Sequence, residues 1–243
     1  MTQGAVIARN IGITAPGCKA VHVNMPIGRP PQGEDAASNM TEKEQAAATA
    51  AAVFQATETG YQSIQGTKPQ TLGYGLHDSP VGLLAWLTEK FWAWSDLGED
   101  DAADGADGLL AAYSMDELLT NISLYWFSGC ITSSTRLYYE TLGPLATGEG
   151  RSNFAKPVTV PCGIALFAKE PFAGRIQAWV EAAGYNVRRW TEFPQGGHFA
   201  AREQPAALVA DMRAFVFSDL AVDERPATPP ASGGAAATAS SKL

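Results

Sequence analysis

His198 is the first side chain in this sequence with a clear capacity for chemistry. It lies in Phe193-Pro194-Gln195-Gly196-Gly197-His198-Phe199-Ala200-Ala201-Arg202. A β-like run from Asn186 to Phe193 leads into it, and a helical pattern follows from Gln204 to about Phe217. The spacing therefore predicts an imidazole on a glycine turn between a strand and a helix. The two glycines permit positive φ and bring the ring out of the layer. An imidazole there suits a general base, because its ordinary pKa lies close to neutrality. A loop histidine with no chemical task fits the same pattern.

Glu170 is the natural companion. It follows the apolar run Val158–Phe167 as His198 follows Asn186–Phe193. If both runs are parallel strands, their carboxyl ends lie on one side of the sheet. A carboxylate at that place would fix the tautomer of the imidazole and stabilise its protonated form. By pattern alone, a solvated glutamate in a strand–helix loop is the simpler reading. The remaining histidines, His22 and His77, stand far apart with no paired spacing. No metal-ligand cluster and no phosphate-binding glycine loop is present in the sequence, so no metal and no cofactor is implied.

Several elements must position these groups. Met1–Gly12 reads as a helix. Cys18–Met25 reads as a buried strand, and Pro26–Asn39 as a loop. Thr41 with Glu44 has the form of a capping box, opening a helix through Ala46–Thr59. Gly60–Asp78, with Lys68-Pro69 and several glycines, reads as irregular. Ser79-Pro80 opens a helix carrying Leu83, Leu84, Trp86, Leu87, Phe91, Trp92 and Trp94. Gly98–Gly108 reads as an acidic surface loop. Ser114 with Glu117 opens one long helix from about Met115 to Tyr139. Gly143–Lys156 reads as a linker and Pro171–Ala183 as a helix.

Strands alternating with helices predict a parallel sheet with right-handed crossovers. A block of helices between two sheet strands predicts a lid over their carboxyl ends, where α/β sites lie. The fold class is thus α/β: part of a parallel sheet with an all-helical insertion. The divisions are a core segment at 1–30, a helical lid at 31–145, a second core segment at 146–220 and a disordered tail at 221–243.

Composition narrows the partners. The chain has 243 residues, 46% hydrophobic and 17% charged, with a formal charge of −8. That is a globular profile with enough length for a sizeable core. The absence of a basic stripe argues against nucleic acid and anionic membranes. No apolar run reaches the length of a membrane span. Cys18, Cys130 and Cys162 are an odd, widely spaced set, which suggests reduced thiols in an intracellular compartment.

A resemblance covers nearly everything from Ala5 to Phe217. Gly60-Tyr61-Gln62-Ser63-Ile64-Gln65-Gly66-Thr67-Lys68-Pro69 and Gly75-Leu76-His77-Asp78-Ser79-Pro80-Val81-Gly82 resemble the lid of the microsomal-type epoxide hydrolases, an α/β-hydrolase family. So do Asp116-Glu117-Leu118-Leu119-Thr120-Asn121 and Gly196-Gly197-His198-Phe199-Ala200-Ala201. In that family an aspartate attacks an epoxide carbon and forms an ester. A histidine oriented by a carboxylate activates the water that hydrolyses it. Two lid tyrosines hydrogen-bond the epoxide oxygen.

The resemblance places the histidine at His198, the acid at Glu170 and the tyrosines at Tyr61 and Tyr138, with Tyr139 the alternative to Tyr138. Tyrosine, with an ordinary pKa of about 10, stays a donor at neutral pH. The implied substrate is a small hydrophobic epoxide and the implied product a vicinal diol.

The family's nucleophile belongs just ahead of the first helix. Aligning Gly4 with the glycine after that turn puts Thr2 where the aspartate should be. The expectation is the C-terminal portion of such a protein, with impaired catalysis. The alternative is a non-catalytic remnant that binds a hydrophobic small molecule or complements an N-terminal half. A part-sheet should also expose an edge and an apolar face, which invites a homo-oligomer or another partner. Ser241-Lys242-Leu243 matches the address read by the peroxisomal import receptor. The expected location is therefore peroxisomal, otherwise cytoplasmic.

Overall fold

The computed structural model describes residues 2–28, 40–98, 106–147, 156–171 and 175–220. Three parallel strands form its centre: β1 (Val21–Val23), β2 (Val158–Phe167) and β3 (Tyr185–Phe193), in that spatial order. In β2 the side chains alternate cleanly between faces, as the two-residue period requires. Cys162, Ile164 and Leu166 join Val21, Val23 and Tyr185 in one core. Ala165 and Phe167 face the other way, onto Ala200, Phe193 and Leu208. The β2–β3 register slips between Val158 and Pro161, where proline has no N–H to give to a ladder.

Helices cover both faces. Helix α1 (Thr2–Thr14) and helix α9 (Gln177–Ala182) supply Ala8, Ile13 and Val180 to the first core. On the other face lie α10 (Ala200–Glu203), α11 (Pro205–Ala214) and a π-helical turn, Phe215–Asp219. Phe215 packs so close to the sheet that a Cβ at Gly163 would sit 2.9 Å from its ring and 2.6 Å from that of His22. This opposite layer is tied down by Asp211 of α11. Its carboxylate accepts from His22 Nε2 at 2.8 Å, Arg189 Nε at 2.6 Å and Thr191 Oγ1 at 2.7 Å. Arg189 also reaches Asp219 at 3.0 Å.

Between β1 and β2 the chain makes the helical block. It runs α2 (Glu42–Thr57), α3 (Gly60–Thr67), α4 (Pro69–Asp78), α5 (Pro80–Trp94), α6 (Ala106–Ala112), α7 (Met115–Ser128) and α8 (Ile131–Thr147). The capping boxes at Thr41–Glu44 and Ser114–Glu117 both form, and Ser79 caps α5 through Gly82 N. Leu76, Leu83, Ile122 and Ile131 make one interior of the block. Leu97, Leu109, Tyr113 and Leu118 make another.

The structure corrects several expectations. Gly60–Asp78 is two helices rather than an irregular stretch, with Pro69 in the first turn of the second, where its missing N–H costs nothing. Two of its glycines serve packing: a Cβ would lie 2.6 Å from Thr132 of α8 at Gly73 and 3.3 Å from Leu142 at Gly66. The helix expected over Met115–Tyr139 is broken at Gly129, which caps α7 in the left-handed region at φ 63°. The linker expected from Gly143 is helical as far as Thr147. The loop expected to run to Gly108 gives way to α6 at Ala106. Residues 29–39, 99–105, 148–155 and the tail 221–243 with Ser241-Lys242-Leu243 lie outside the described residues. Among the described residues, no helix is long and apolar enough to cross a membrane.

Candidate active site

His198 sits at the carboxyl end of β3 and Glu170 at the carboxyl end of β2, so the parallel sheet delivers them to the same side. The imidazole Nδ1 lies 3.0 Å from Glu170 Oε1 and 3.1 Å from Oε2. Both side chains are almost wholly buried. An ionised carboxylate only accepts, so the proton of a neutral imidazole belongs on Nδ1. That leaves Nε2 as the atom that can take a proton from water. The Glu170 turn is pinned by Arg175, whose guanidinium donates to the carbonyls of Phe167, Ala168 and Glu170.

The two glycines ahead of His198 have different tasks. Gly196 has φ 99°, the conformation that favours glycine. Gly197 is there for space, since a Cβ on it would lie 2.5 Å from the carbonyl oxygen of Trp94. Positive φ therefore explains only the first of them. The second lets the backbone of the helical block press against the turn.

A cavity of about 500 Å³ opens beside His198. Ala5 and Ala8 of α1, His22, Asn24, Phe91 and Asn121 line parts of its wall. Tyr61 and Tyr138 do not line it. They belong to an aromatic cluster with Trp94 and Phe199. The Tyr61 and Tyr138 rings meet edge to face with centroids 5.6 Å apart, Tyr61 meets Trp94 at 5.3 Å, and Trp94 meets the His198 imidazole at 5.2 Å. The four residues named from the sequence are thus gathered into one region, with the Trp94 indole touching both His198 and Tyr61. Tyr139 is 46% exposed, so it is Tyr138 that faces Tyr61. The hydroxyl of Tyr61 accepts from Gln62 Nε2 at 2.9 Å.

Charged groups around the turn are unequal in character. Burial pushes the Glu203 carboxyl above its ordinary range. Glu117, on the surface, is held down to about 2 by hydrogen bonds from Arg202 and from Ser114. Burial also raises the Tyr113 phenol, whose hydroxyl pairs with Ser95 at 2.7 Å. Among the described residues, no group of three or more His, Cys, Asp or Glu side chains could hold a metal ion.

No family model matches the chain. Individual proteins do. Over 159 residues, 65% of this chain, it is 43% identical to epoxide hydrolase 1 of Sus scrofa. It is 37% identical over 157 residues to juvenile hormone epoxide hydrolase 1 of Ctenocephalides felis. The crystal structure of juvenile hormone epoxide hydrolase from Bombyx mori superposes on 90% of this chain, with a TM-score of 0.77 and 27% identity. The Aspergillus niger epoxide hydrolase superposes on 89%, with a TM-score of 0.69 and 27% identity. Over most of its length the chain is similar to epoxide hydrolases.

Its partial parallel sheet and helical block are those of an α/β-hydrolase fold. The chain spans 34% of the length of the pig epoxide hydrolase, and about half of the solved epoxide hydrolase chains, 50% and 54%. Within that span, sequence reasoning did not find Trp94, Asp96, Arg175 and Glu203. Trp94 and Asp96 reach the histidine turn from about 100 residues away. Arg175 and Glu203 lie close in sequence to the turns they hold, but their spacing does not show which backbone groups they meet.

Proposed function

We propose that this chain supplies the acid–base pair and the lid tyrosines of an epoxide-hydrolysing site that yields a vicinal diol. The observation that carries the reading is the buried His198–Glu170 pair, with Nδ1 within 3.1 Å of both carboxylate oxygens, beside a cavity of about 500 Å³. In the reaction a carboxylate oxygen bonds to an epoxide carbon, the ring C–O bond breaks, and the freed oxygen takes a proton donated by Tyr61 or Tyr138. Water then adds to the ester carbonyl while His198 Nε2 accepts its proton, and Glu170 stabilises the imidazolium. The adduct then collapses, the departing diol oxygen takes the proton from the imidazolium, and the proton left on the carboxylic acid returns to the tyrosinate, which restores the carboxylate, the imidazole and the phenol.

The position that the family resemblance gives to the nucleophile is Thr2, the first residue of α1. A hydroxyl there does not replace a carboxylate in this cycle. Residues 1–243 are therefore expected to bind an aryl epoxide and turn it over very slowly. Thr2→Asp is expected to form diol. Thr2→Asp combined with His198→Gln is expected to stall as an ester, seen as a mass gain of one substrate molecule on the intact chain. If the double variant takes up no label while folded, the proposed site is wrong. Binding by the unaltered chain with no diol from any variant would favour a ligand-binding protein instead.

A further inference from the structure

The turn that presents His198 is held by four hydrogen bonds from its own amides. Gly196 N donates to Asp96 Oδ2 at 2.7 Å, Gly197 N to Glu203 Oε2 at 2.8 Å, His198 N to Trp94 O at 2.8 Å and Phe199 N to Glu203 Oε1 at 2.9 Å. Glu203 also accepts from Asp96 N at 2.7 Å. One carboxylate thus takes three amides, two from the histidine turn and one from the chain leaving α5. Two of the four acceptors of the turn, Trp94 O and Asp96 Oδ2, belong to the helical block. The backbone contact at Gly197 leaves no slack between the two parts. The next residue back, Arg202, grips the same block through Glu117 at 2.9 Å and the carbonyl of Ala112 at 2.9 Å.

A simple helix cap would not require this arrangement. Capping the four-residue α10 needs one acceptor at Phe199 N. Glu203 instead spends its second oxygen on Gly197 N and on Asp96 N, joining the two segments. We propose that Glu203 is the positioning residue of His198, a carboxylate that locks the histidine turn to the helical block and so sets the imidazole against Glu170. The consequence for turnover rests on the function proposed above. The geometric claim does not.

The two carboxylates in the lock differ in a way that makes the proposal testable. Both oxygens of Glu203 face N–H donors. A glutamine there must turn its own NH2 toward at least one amide, donor against donor. Asp96 uses a single oxygen on Gly196 N, so an asparagine can present its carbonyl and keep the bond. Glu203→Gln should therefore disturb the site, and Asp96→Asn should not.

The readouts are the imidazole nitrogen resonances of His198 across a pH titration, and hydrogen exchange at the amides of Asp96, Gly197 and Phe199. Glu203→Gln is expected to move the imidazole nitrogen resonances of His198 and to speed exchange at Gly197 and Phe199 by roughly tenfold, the factor expected for one lost buried hydrogen bond. Asp96→Asn should stay within about twofold. Unchanged imidazole signals in Glu203→Gln, or equal changes in both variants, would overturn the proposal.

The unaltered chain gives a second test that needs no variant. The groups facing Glu203 are Asp96 from the chain leaving α5, Tyr113 from the helical block and Arg202 from its own helix, with Glu117 paired to Arg202 beyond them. On acidification, the amides of Asp96, Gly197 and Phe199 should shift together with the Glu203 carboxyl carbon. A midpoint that follows Asp96 or Glu117 instead would refute it. In the Thr2→Asp background, Glu203→Gln should slow ester breakdown while ester formation persists. If no ester forms in any variant, the function fails and the amide results still stand.

Discussion

Removing the Asp211 carboxylate should cost more stability than any other single polar change in the sheet layer. The carboxylate accepts one bond from a guanidinium and one each from His22 and Thr191, and its side chain is 1% exposed. A bond to a charged group contributes about 1.5–3 kcal/mol and a neutral one about 1 kcal/mol. Asp211→Ala should therefore destabilise by ~3–5 kcal/mol, the range typical of breaking a buried ion pair. Asp211→Asn retains one acceptor oxygen and should cost about half as much. With a urea slope of about 2 kcal/mol/M, Asp211→Ala should lower the unfolding midpoint by about 2 M. A shift below about 0.5 M would refute the claim that this residue anchors α11 and the π-turn.

The pH dependence of the Asp211 difference has a definite sign. Burial raises the Asp211 carboxyl, but the bonds from Thr191, Arg189 and His22 outweigh it and leave it below its ordinary 3.8. A depressed carboxyl stabilises the fold above its unfolded value, and the contribution disappears as pH falls through the folded one. The gap between Asp211→Ala and the unaltered chain should narrow below pH 3.8.

Other expectations are more local. In the Thr2→Asp background, Tyr138→Phe should slow ester formation by about 100-fold or more as a proton donor is lost. Tyr139→Phe should leave the rate nearly unchanged, and rapid-quench measurement of the ester separates the two. Glu117, held at about 2 against an ordinary 4.5, stabilises the fold above pH 4.5 and loses that effect as pH approaches 2. Glu117→Gln should therefore flatten the acid limb of the stability profile, and equal limbs in both proteins would count against the Arg202–Glu117 latch. Burial lifts the Cys162 thiol to about 11. A thiol reagent at pH 8 should label Cys162 only after unfolding, and prompt labelling of the native chain would show that the first core is open.

The parts of this fold that were readable from sequence are those governed by near neighbours. The two capping boxes and the Ser79 cap are decided within four residues, and β2 is a run of apolar and β-branched side chains. The helices of Gly60–Asp78 were hidden because glycine reads as a breaker. At Gly66 and Gly73 it is instead the space that Leu142 and Thr132 of α8 occupy, a tertiary fact. Gly129 was missed for the opposite reason: apolar residues on both sides masked a helix end. At the site, the parallel-strand argument was sufficient to bring Glu170 to His198. It could not distinguish Tyr138 from Tyr139, which differ only in the face of α8 they occupy. Nor could it show that Glu203 would reach the amide of Asp96, because that contact exists only once the helical block has closed on the turn.

The register that pairs Val21 with Cys162 also sets a clock. During synthesis β1 emerges before its bonded neighbour β2, which is made only after the whole helical block from α2 to α8. At ordinary elongation rates that delay is on the order of ten seconds. Helical segments form in microseconds or less, so the block can organise while the strand waits. For that interval Val21 and Val23 have no β2 to cover them. The nascent chain should therefore depend on chaperones in proportion to how slowly residues 24–157 are translated.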